Sequence, residues 1–377
     1  MNQEVIDQQY MERAIALAER GRGYTSPNPL VGCVVVKDGK IIGEGWHKRY
    51  GEYHAERHAL SDLTPEATTG ATIYVTLEPC CHHGKQPPCV DLVIAHKPAR
   101  VVIGSIDPNP VVAGGGVRRL EEANIPVTLG VAQEKCEAQN IFFRHLIATK
   151  RPYVAQKYAM TLDGKIAASD GSSKWVTGEV SRAHVQELRR QYSGILVGIG
   201  TVLADDPLLT CRIDPAANPK RVICDNHLRI PHASQIVRTA KDVQTFVVCR
   251  PQARLAEQEK CRALTEAGIE LIEINEDVSY WDTLLPILGK KGIDSLLIEG
   301  GGEIHGSCLK AHASNYIFAY LAPKLVGGKQ APSPIEGPGL TPINQAVQLA
   351  NLELTKLGED YLFAGVPKYS DNIDRNH

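Results

Sequence analysis

The chain has 377 residues, a formal net charge of −2 and a hydrophobic content of 43%. These values suit the cores of two domains of ~100–200 residues each and argue against a bulk polyanionic partner such as nucleic acid. Residues 1–9 are polar and acidic, and no apolar run approaches the ~20 residues a membrane span needs, so a cytoplasmic protein without a membrane partner is expected. Cys33, Cys136, Cys211, Cys224, Cys249, Cys261 and Cys308 stand singly and read as buried small hydrophobes of a reducing compartment.

Helical spacing of apolar residues predicts a helix over 5–20 that stops at Gly21 and Gly23. Strands at Val31–Val36 and Ile41–Trp46 flank Lys37-Asp38-Gly39-Lys40, whose Asp-Gly favours a tight hairpin. A helix at His54–Leu63, a strand at Ala71–Leu77, a helix at Cys89–His96 and a strand at Arg100–Gly104 follow. A helix at Gly116–Ala123, a strand at Pro126–Leu129 and a helix over Gln133–Ala148 close this half. Lys150-Arg151-Pro152 breaks the pattern, so domains are expected at 1–150 and 151–377. The second series has Tyr153–Met160, a helix at Val180–Tyr192, and strands at Ile195–Gly198, Arg221–Asp225 and Thr245–Cys249. It continues with a helix near Ala253–Ala267, strands at Ile269–Ile274 and Ser295–Glu299, a helix after Gly302, and a surface loop at Pro332–Pro342. Alternating strands and helices imply α/β layers in both halves.

His54, Cys80 and Cys89 form the ligand set of an open zinc site, with Glu56 two residues from the histidine. Three protein ligands leave one position for water, whose pKa zinc lowers to roughly 7, and a non-ligand glutamate can then shuttle protons. That is the arrangement of zinc-dependent nucleobase deaminases, although their cysteines are usually spaced Cys-x-x-Cys, while eight residues separate this pair. Cys81, His82 and His83 are rival ligands, and a fourth ligand would make the site closed and structural. A metalloprotease motif fails because Ala55, not glutamate, follows His54.

The string Pro79-Cys80-Cys81-His82-His83-Gly84-Lys85-Gln86-Pro87-Pro88-Cys89 resembles the signature of the bacterial riboflavin-biosynthesis deaminase–reductases. Asn28-Pro29-Leu30-Val31-Gly32, the block Gly51–His58, Asp107-Pro108-Asn109-Pro110 and Val112-Ala113-Gly114 match as well. The resemblance implies a cytidine-deaminase-like three-layer sandwich, with His54, Cys80 and Cys89 as zinc ligands, Cys81 as a bystander and Glu56 as the proton carrier. It further implies a substrate that is a diaminopyrimidinone carrying ribosyl phosphate. Asn28 would hold its ring, with His47 and Lys85 as further contacts. Without the resemblance, Asn28 also reads as a turn residue before proline.

In the second half, Leu297–Gly306 reads as a strand, a glycine-rich turn and a helix, and Gly198-Ile199-Gly200-Thr201 sets further glycines just past a strand. Such loops let backbone N–H groups approach phosphates, although a tight strand-to-helix turn alone also explains the first. Thr161–Lys165, Ser173-Lys174-Trp175 and Thr201–Arg212 resemble the reductase domain of the same family, similar in fold to dihydrofolate reductase. The resemblance places NADPH against Met160, Trp175, Thr201, Asp205, Asn226, Gly301, Gly302, Glu303, Ile304, His305, Gly306 and Ser307. Ser173, Arg189, Leu209, Arg212 and Glu299 would hold the substrate, while Met160 and Asn226 depart from the family's usual alanine and serine. Lys157 and Asp205 are candidates for the acid of the reduction, with substrate or water as the alternatives, and a homo-oligomer is implied. A nucleic-acid editing deaminase and a structural zinc protein with a nucleotide-sensing half are the competing readings.

Overall fold

A computed structural model describes residues 2–82, 87–275 and 278–369. The chain divides into two compact units, Met1–Lys150 and Arg151–His377.

The first unit carries helices α1 (Gln3–Glu19), α2 (Ala55–Leu60), α3 (Pro65–Thr68), α4 (Cys89–Ala95), α5 (Gly115–Glu122), α6 (Gln133–Gln139) and α7 (Ile141–Thr149). Its strands are β1 (Gly32–Lys37), β2 (Lys40–Trp46), β3 (Thr72–Leu77), β4 (Arg100–Ser105) and β5 (Val127–Leu129), in the order β2-β1-β3-β4-β5. The β1 pairings are antiparallel, and β3, β4 and β5 are parallel. Alternation along β1 sends Val34 and Val36 to one face, where they meet Met11, Ala14 and Leu17 of α1. Cys33 and Val35 point the other way and join Ala55, Ala59, Val90, Val93 and Leu120. Both faces are therefore covered, which makes three layers. Helix α2 lies close on β2 because Gly45 has no side chain; a Cβ there would stand 2.4 Å from the Ala55 carbonyl oxygen.

The expected helix over 133–148 is broken at Asn140, which lies between α6 and α7. The Asn140 side chain is buried and bridges Leu30, accepting from its N–H (2.8 Å) and donating to its carbonyl (2.9 Å). A single asparagine thus pins the segment that carries Asn28.

The second unit runs β6 (Tyr153–Thr161), α8 (Glu179–Gln191), β7 (Gly194–Gly198), α9 (Ile199–Asp205), β8 (Lys220–Cys224), α10 (Gln235–Arg238) and β9 (Thr245–Cys249). It continues with α11 (Pro251–Ala256), α12 (Gln258–Glu266), β10 (Ile269–Glu273), α13 (Tyr280–Lys290), β11 (Ser295–Gly300), α14 (Gly302–Lys310), β12 (Tyr316–Ala322), β13 (Gln348–Leu357) and β14 (Asp360–Lys368). The sheet order is β10-β9-β8-β7-β11-β6-β12-β14-β13, parallel from β10 to β12 and closed by an antiparallel hairpin. Leu196, Val222 and Phe246 face one apolar layer, while Ile195, Val197 and Ile223 face the other. The glycines expected to form a loop after β7 instead enter helix α9, with Gly198 as its N-cap. The helix expected near 253–267 is two helices meeting at Glu257.

Candidate active sites

Three elements converge in the first unit. His54 is the extended N-cap of α2, and its ring makes no capping hydrogen bond, so it is available to reach inward. Cys80 follows the end of β3 and closes the start of α4: its Sγ accepts the Cys89 N–H (3.3 Å) and its carbonyl accepts the Val90 N–H (3.2 Å). Cys89 is the first residue of α4, which explains how a long cysteine spacing still gives adjacent thiols. Nδ1 of His54 lies 3.6 Å from Cys80 Sγ and 3.3 Å from Cys89 Sγ, and all three ligand atoms fall within 4.8 Å of one another. One imidazole and two thiols so spaced fit zinc.

The electrostatics suit that ion. A hydrogen bond from the Cys89 thiol outweighs burial and, with His54 and the Cys89 N–H, pushes Cys80 down to about 4. The same bond, together with burial, raises Cys89, so the metal-free pair holds one proton that a dication displaces. Glu56 is buried in the first turn of α2, and burial followed by the Cys80 charge lifts its carboxyl to about 7. A group near 7 exchanges protons readily at neutral pH. Cys81 points away, its thiol directed to the Val112 carbonyl at 3.8 Å. His82 is outside the cluster, and His83 and Lys85 lie outside the described residues.

Asn28 and His47 form one unit. Nδ2 of Asn28 lies 3.2 Å from His47 Nε2, and His47 Nδ1 lies 3.0 Å from the Tyr53 carbonyl. The carbonyl can only accept, so Nδ1 carries the proton and Nε2 accepts from Asn28. Burial lowers His47, which favours this neutral ring. Among the described residues the Asn28 oxygen and its second N–H have no partner, which leaves them to pair with a ligand. The His47 and His54 rings meet edge-on at 5.3 Å, which sets this pair beside the metal ligands.

In the second unit the expected residues gather at the carboxyl ends of parallel strands, where α/β sheets bind ligands. Met160 is near the end of β6, Thr201 and Asp205 are in α9 after β7, and Asn226 follows β8. Glu299 is the penultimate residue of β11, and Gly301–Ser307 form the turn and first part of α14. Trp175 is 57% exposed and stacks under Arg182 at 4.7 Å. Ser173 lies two residues before Trp175, in the same irregular stretch between β6 and α8. Arg212 is exposed. The Leu209 side chain belongs to the core, so only its main chain can meet a ligand.

Arg189 differs from expectation. Its fork does not stand open for a substrate: Nε and Nη2 bind both Glu299 oxygens at 2.7 and 2.9 Å, and Nη1 binds the Thr210 carbonyl. Lys157 Nζ joins the same carboxylate at 3.2 Å. Burial would raise Glu299, but the two cations and their hydrogen bonds hold it down at about 2. Two glycines of the phosphate-type turn also have a plainer reason. A Cβ on Gly306 would stand 1.8 Å from the Glu336 carbonyl oxygen, and one on Gly302 would stand 2.7 Å from Glu336 Cγ. The crossing segment near Glu336 requires them. Gly301, at φ +86°, is the N-cap of α14 and makes no capping bond.

Sequence reasoning missed Asn140, and it also missed Glu78, whose carboxylate accepts four backbone N–H groups beside Cys80. The only signal for Glu78 was its place directly before Pro79-Cys80.

Residues 4–105 match the cytidine and deoxycytidylate deaminase zinc-binding region, and residues 152–363 match the RibD C-terminal domain. A RibD protein of Actinobacillus pleuropneumoniae is 50% identical over 361 residues, covering 95% of this chain and 94% of the relative. The chain belongs to the RibD family. RibD of Escherichia coli is 41% identical, with 94% of this chain and 97% of that protein covered. The structure of Acinetobacter baumannii RibD matches with a TM-score of 0.88 at 35% identity, covering 97% of this chain and 100% of that one. A Thermotoga maritima structure, described as a diaminohydroxyphosphoribosylaminopyrimidine deaminase and phosphoribosylaminouracil reductase, matches at 0.84 and 36%, with 97% and 100% covered. As a RibD protein the chain is a bifunctional enzyme of riboflavin biosynthesis with a zinc-binding deaminase domain of cytidine-deaminase type and a dihydrofolate-reductase-like domain that uses NADPH. The editing and sensor readings fall with this assignment.

Proposed function

We propose that residues 1–150 hydrolyse the exocyclic amine of a phosphoribosyl diaminopyrimidinone and that residues 151–377 reduce the ribosyl chain of the product to ribityl. The observation that carries this reading is the cluster of His54, Cys80 and Cys89 within 4.8 Å, with the buried non-ligand Glu56 in the same first turn as His54. Zinc held there supplies an activated water at neutral pH. Glu56 takes a proton from the attacking water and delivers protons to the ring nitrogen and the departing ammonia. Asn28, oriented by His47, pairs with the pyrimidine edge, and Lys85 is proposed to meet the same substrate.

In the second unit NADPH supplies the hydride. Met160, Trp175, Thr201, Asp205, Asn226 and the turn at Gly301–Ser307 are proposed to hold it, and Ser173, the Leu209 main chain, Arg212 and Glu299 the substrate, with Arg189 orienting the Glu299 carboxylate. Of the two candidate acids, Lys157 is half-buried and held by Glu299, whereas Asp205 is exposed, so Lys157 is assigned the proton given to the new hydroxyl. No described helix is long and apolar enough to cross a membrane. A cytoplasmic homo-oligomer acting on small molecules completes the proposal. Its support is the edge strand β13, where Leu352 and Leu354 are 53% and 59% exposed.

Glu56→Ala tests the two-site reading. Ammonia release should vanish while NADPH-dependent reduction of the deaminated intermediate persists. Loss of both activities in a folded variant would contradict separate sites.

A further inference from the structure

Cys80 is tied forward to α4 through its sulfur and its carbonyl, and a thiolate ligand must also be held from the β3 side. The residue two before it supplies the tether. Glu78 ends the β3 region, its side chain is buried, and its N–H donates to the Ser105 carbonyl at 3.0 Å. Its carboxylate accepts four main-chain N–H groups, from Asp107 (3.3 Å) and Gly114 (3.0 Å) on one oxygen, and from Gly116 (2.9 Å) and Val117 (3.1 Å) on the other.

Those donors belong to the Asp107–Gly114 stretch and to the first turn of α5. The N-cap of α5, Gly114, makes no side-chain cap, so Glu78 caps this helix from another part of the chain. A carboxylate there satisfies orphaned N–H groups and complements the positive end of the helix dipole. The local chain is shaped for this approach. A Cβ on Gly116 would stand 2.2 Å from the Pro79 carbonyl oxygen, and one on Gly115 would stand 2.6 Å from Cys81 Sγ. The stretches 107–110 and 112–116 thus wrap around residues 78–81.

We propose that Glu78 is a positioning residue for the metal site: by bracing residues 78–81 against the 107–117 segment, it fixes the direction in which Cys80 presents its sulfur. This rests on the reading of His54, Cys80 and Cys89 as the zinc ligands. It also gives the Asp107-Pro108-Asn109-Pro110 and Val112-Ala113-Gly114 motifs a physical purpose, since Asp107 and Gly114 deliver two of the four N–H groups that the carboxylate accepts.

Glu78→Gln is the direct test. An amide has one acceptor oxygen, so two of the four N–H groups would face an NH₂ group instead. Zinc affinity, measured by chelator competition on the full chain, should fall roughly 10–100-fold, as for other residues that orient metal ligands. The visible and thiolate charge-transfer bands of the cobalt-substituted protein should shift, while the reductase turnover and far-ultraviolet circular dichroism should not. Glu78→Asp, with the charge kept one methylene shorter, should recover part of the affinity. If Glu78→Gln unfolds the first unit, the same measurements on Glu78→Asp decide, with weaker zinc binding in folded protein expected. Affinity within twofold of wild type and an unchanged cobalt spectrum in the folded variant would overturn the proposal. Cys80→Ser separates the premise: if it retains full zinc affinity, the ligand assignment itself is wrong.

Discussion

Glu299→Gln keeps the shape of a buried side chain and removes its charge, leaving Arg189 and Lys157 without their shared counter-ion. Arg189 and Lys157 side chains are only 12% and 13% exposed, so water cannot replace that partner well. Removing one member of a buried ion pair costs about 3–5 kcal/mol. An independent figure comes from the carboxyl itself, held at about 2 against an ordinary 4.5; at about 1.36 kcal/mol per unit this is about 3 kcal/mol. For a domain of this size that lowers Tm by about 6–12 °C. Because the folded value lies below the unfolded one, the stabilisation is complete above pH ~4.5 and is lost as pH falls toward 2; at pH 4 the gap between wild type and variant should be about 1 kcal/mol smaller than at pH 7. Urea unfolding at both pH values, followed through the second-unit transition, measures this. A variant as stable as wild type at pH 7, or a gap that widens in acid, would refute the ion-triad reasoning.

Asn140→Leu strips the Leu30 N–H and carbonyl of their buried partners, at about 1–3 kcal/mol for each group left unsatisfied. The first unit should unfold at lower urea, and KM for deamination should rise more than kcat falls, because Asn28 sits two residues away; an unchanged KM would contradict the pinning role. Gly306→Ala sets a methyl against the Glu336 carbonyl and should weaken NADPH binding in a fluorescence titration while leaving ammonia release intact. Unaltered NADPH affinity would mean that the α14 turn does not serve the cofactor.

The cluster of His54, Cys80 and Cys89 was legible in the sequence because these residue types are rare and their chemistry is specific. His54, Glu56, Cys80 and Cys89 pointed to one candidate ion site before any fold was known, and the fold brings the three ligand atoms together. What the spacing alone left open was how two distant cysteines meet, and the answer is a backbone one: the Cys89 N–H bonds the Cys80 sulfur. Most parallel strands of both units were equally visible, since strands buried on both faces read as continuous apolar runs, but β12, parallel to β6, was missed. The hairpin β13–β14 was not. Strand β13 is mostly exposed, and a bulge between Ala350 and Glu353, with Asn351 at φ +47°, breaks its alternation. Helix α13 carries Pro286 in its interior, which argues locally against a helix. Glu78 and Asn140 were illegible for another reason. Their partners are main-chain groups brought near by the fold, and no side-chain pattern records a backbone N–H.

The central claim is that two sites act in sequence on one molecule. The most direct measurement supplies zinc-loaded protein with the phosphoribosyl diaminopyrimidine and follows ammonia and NADPH together. Without NADPH, one ammonia should be released per substrate and the reaction should stop at the deaminated ribosyl compound. With NADPH, one equivalent should be oxidised, lagging behind the ammonia. NADPH oxidation that precedes ammonia, or no ammonia from folded, zinc-loaded protein, would contradict the account.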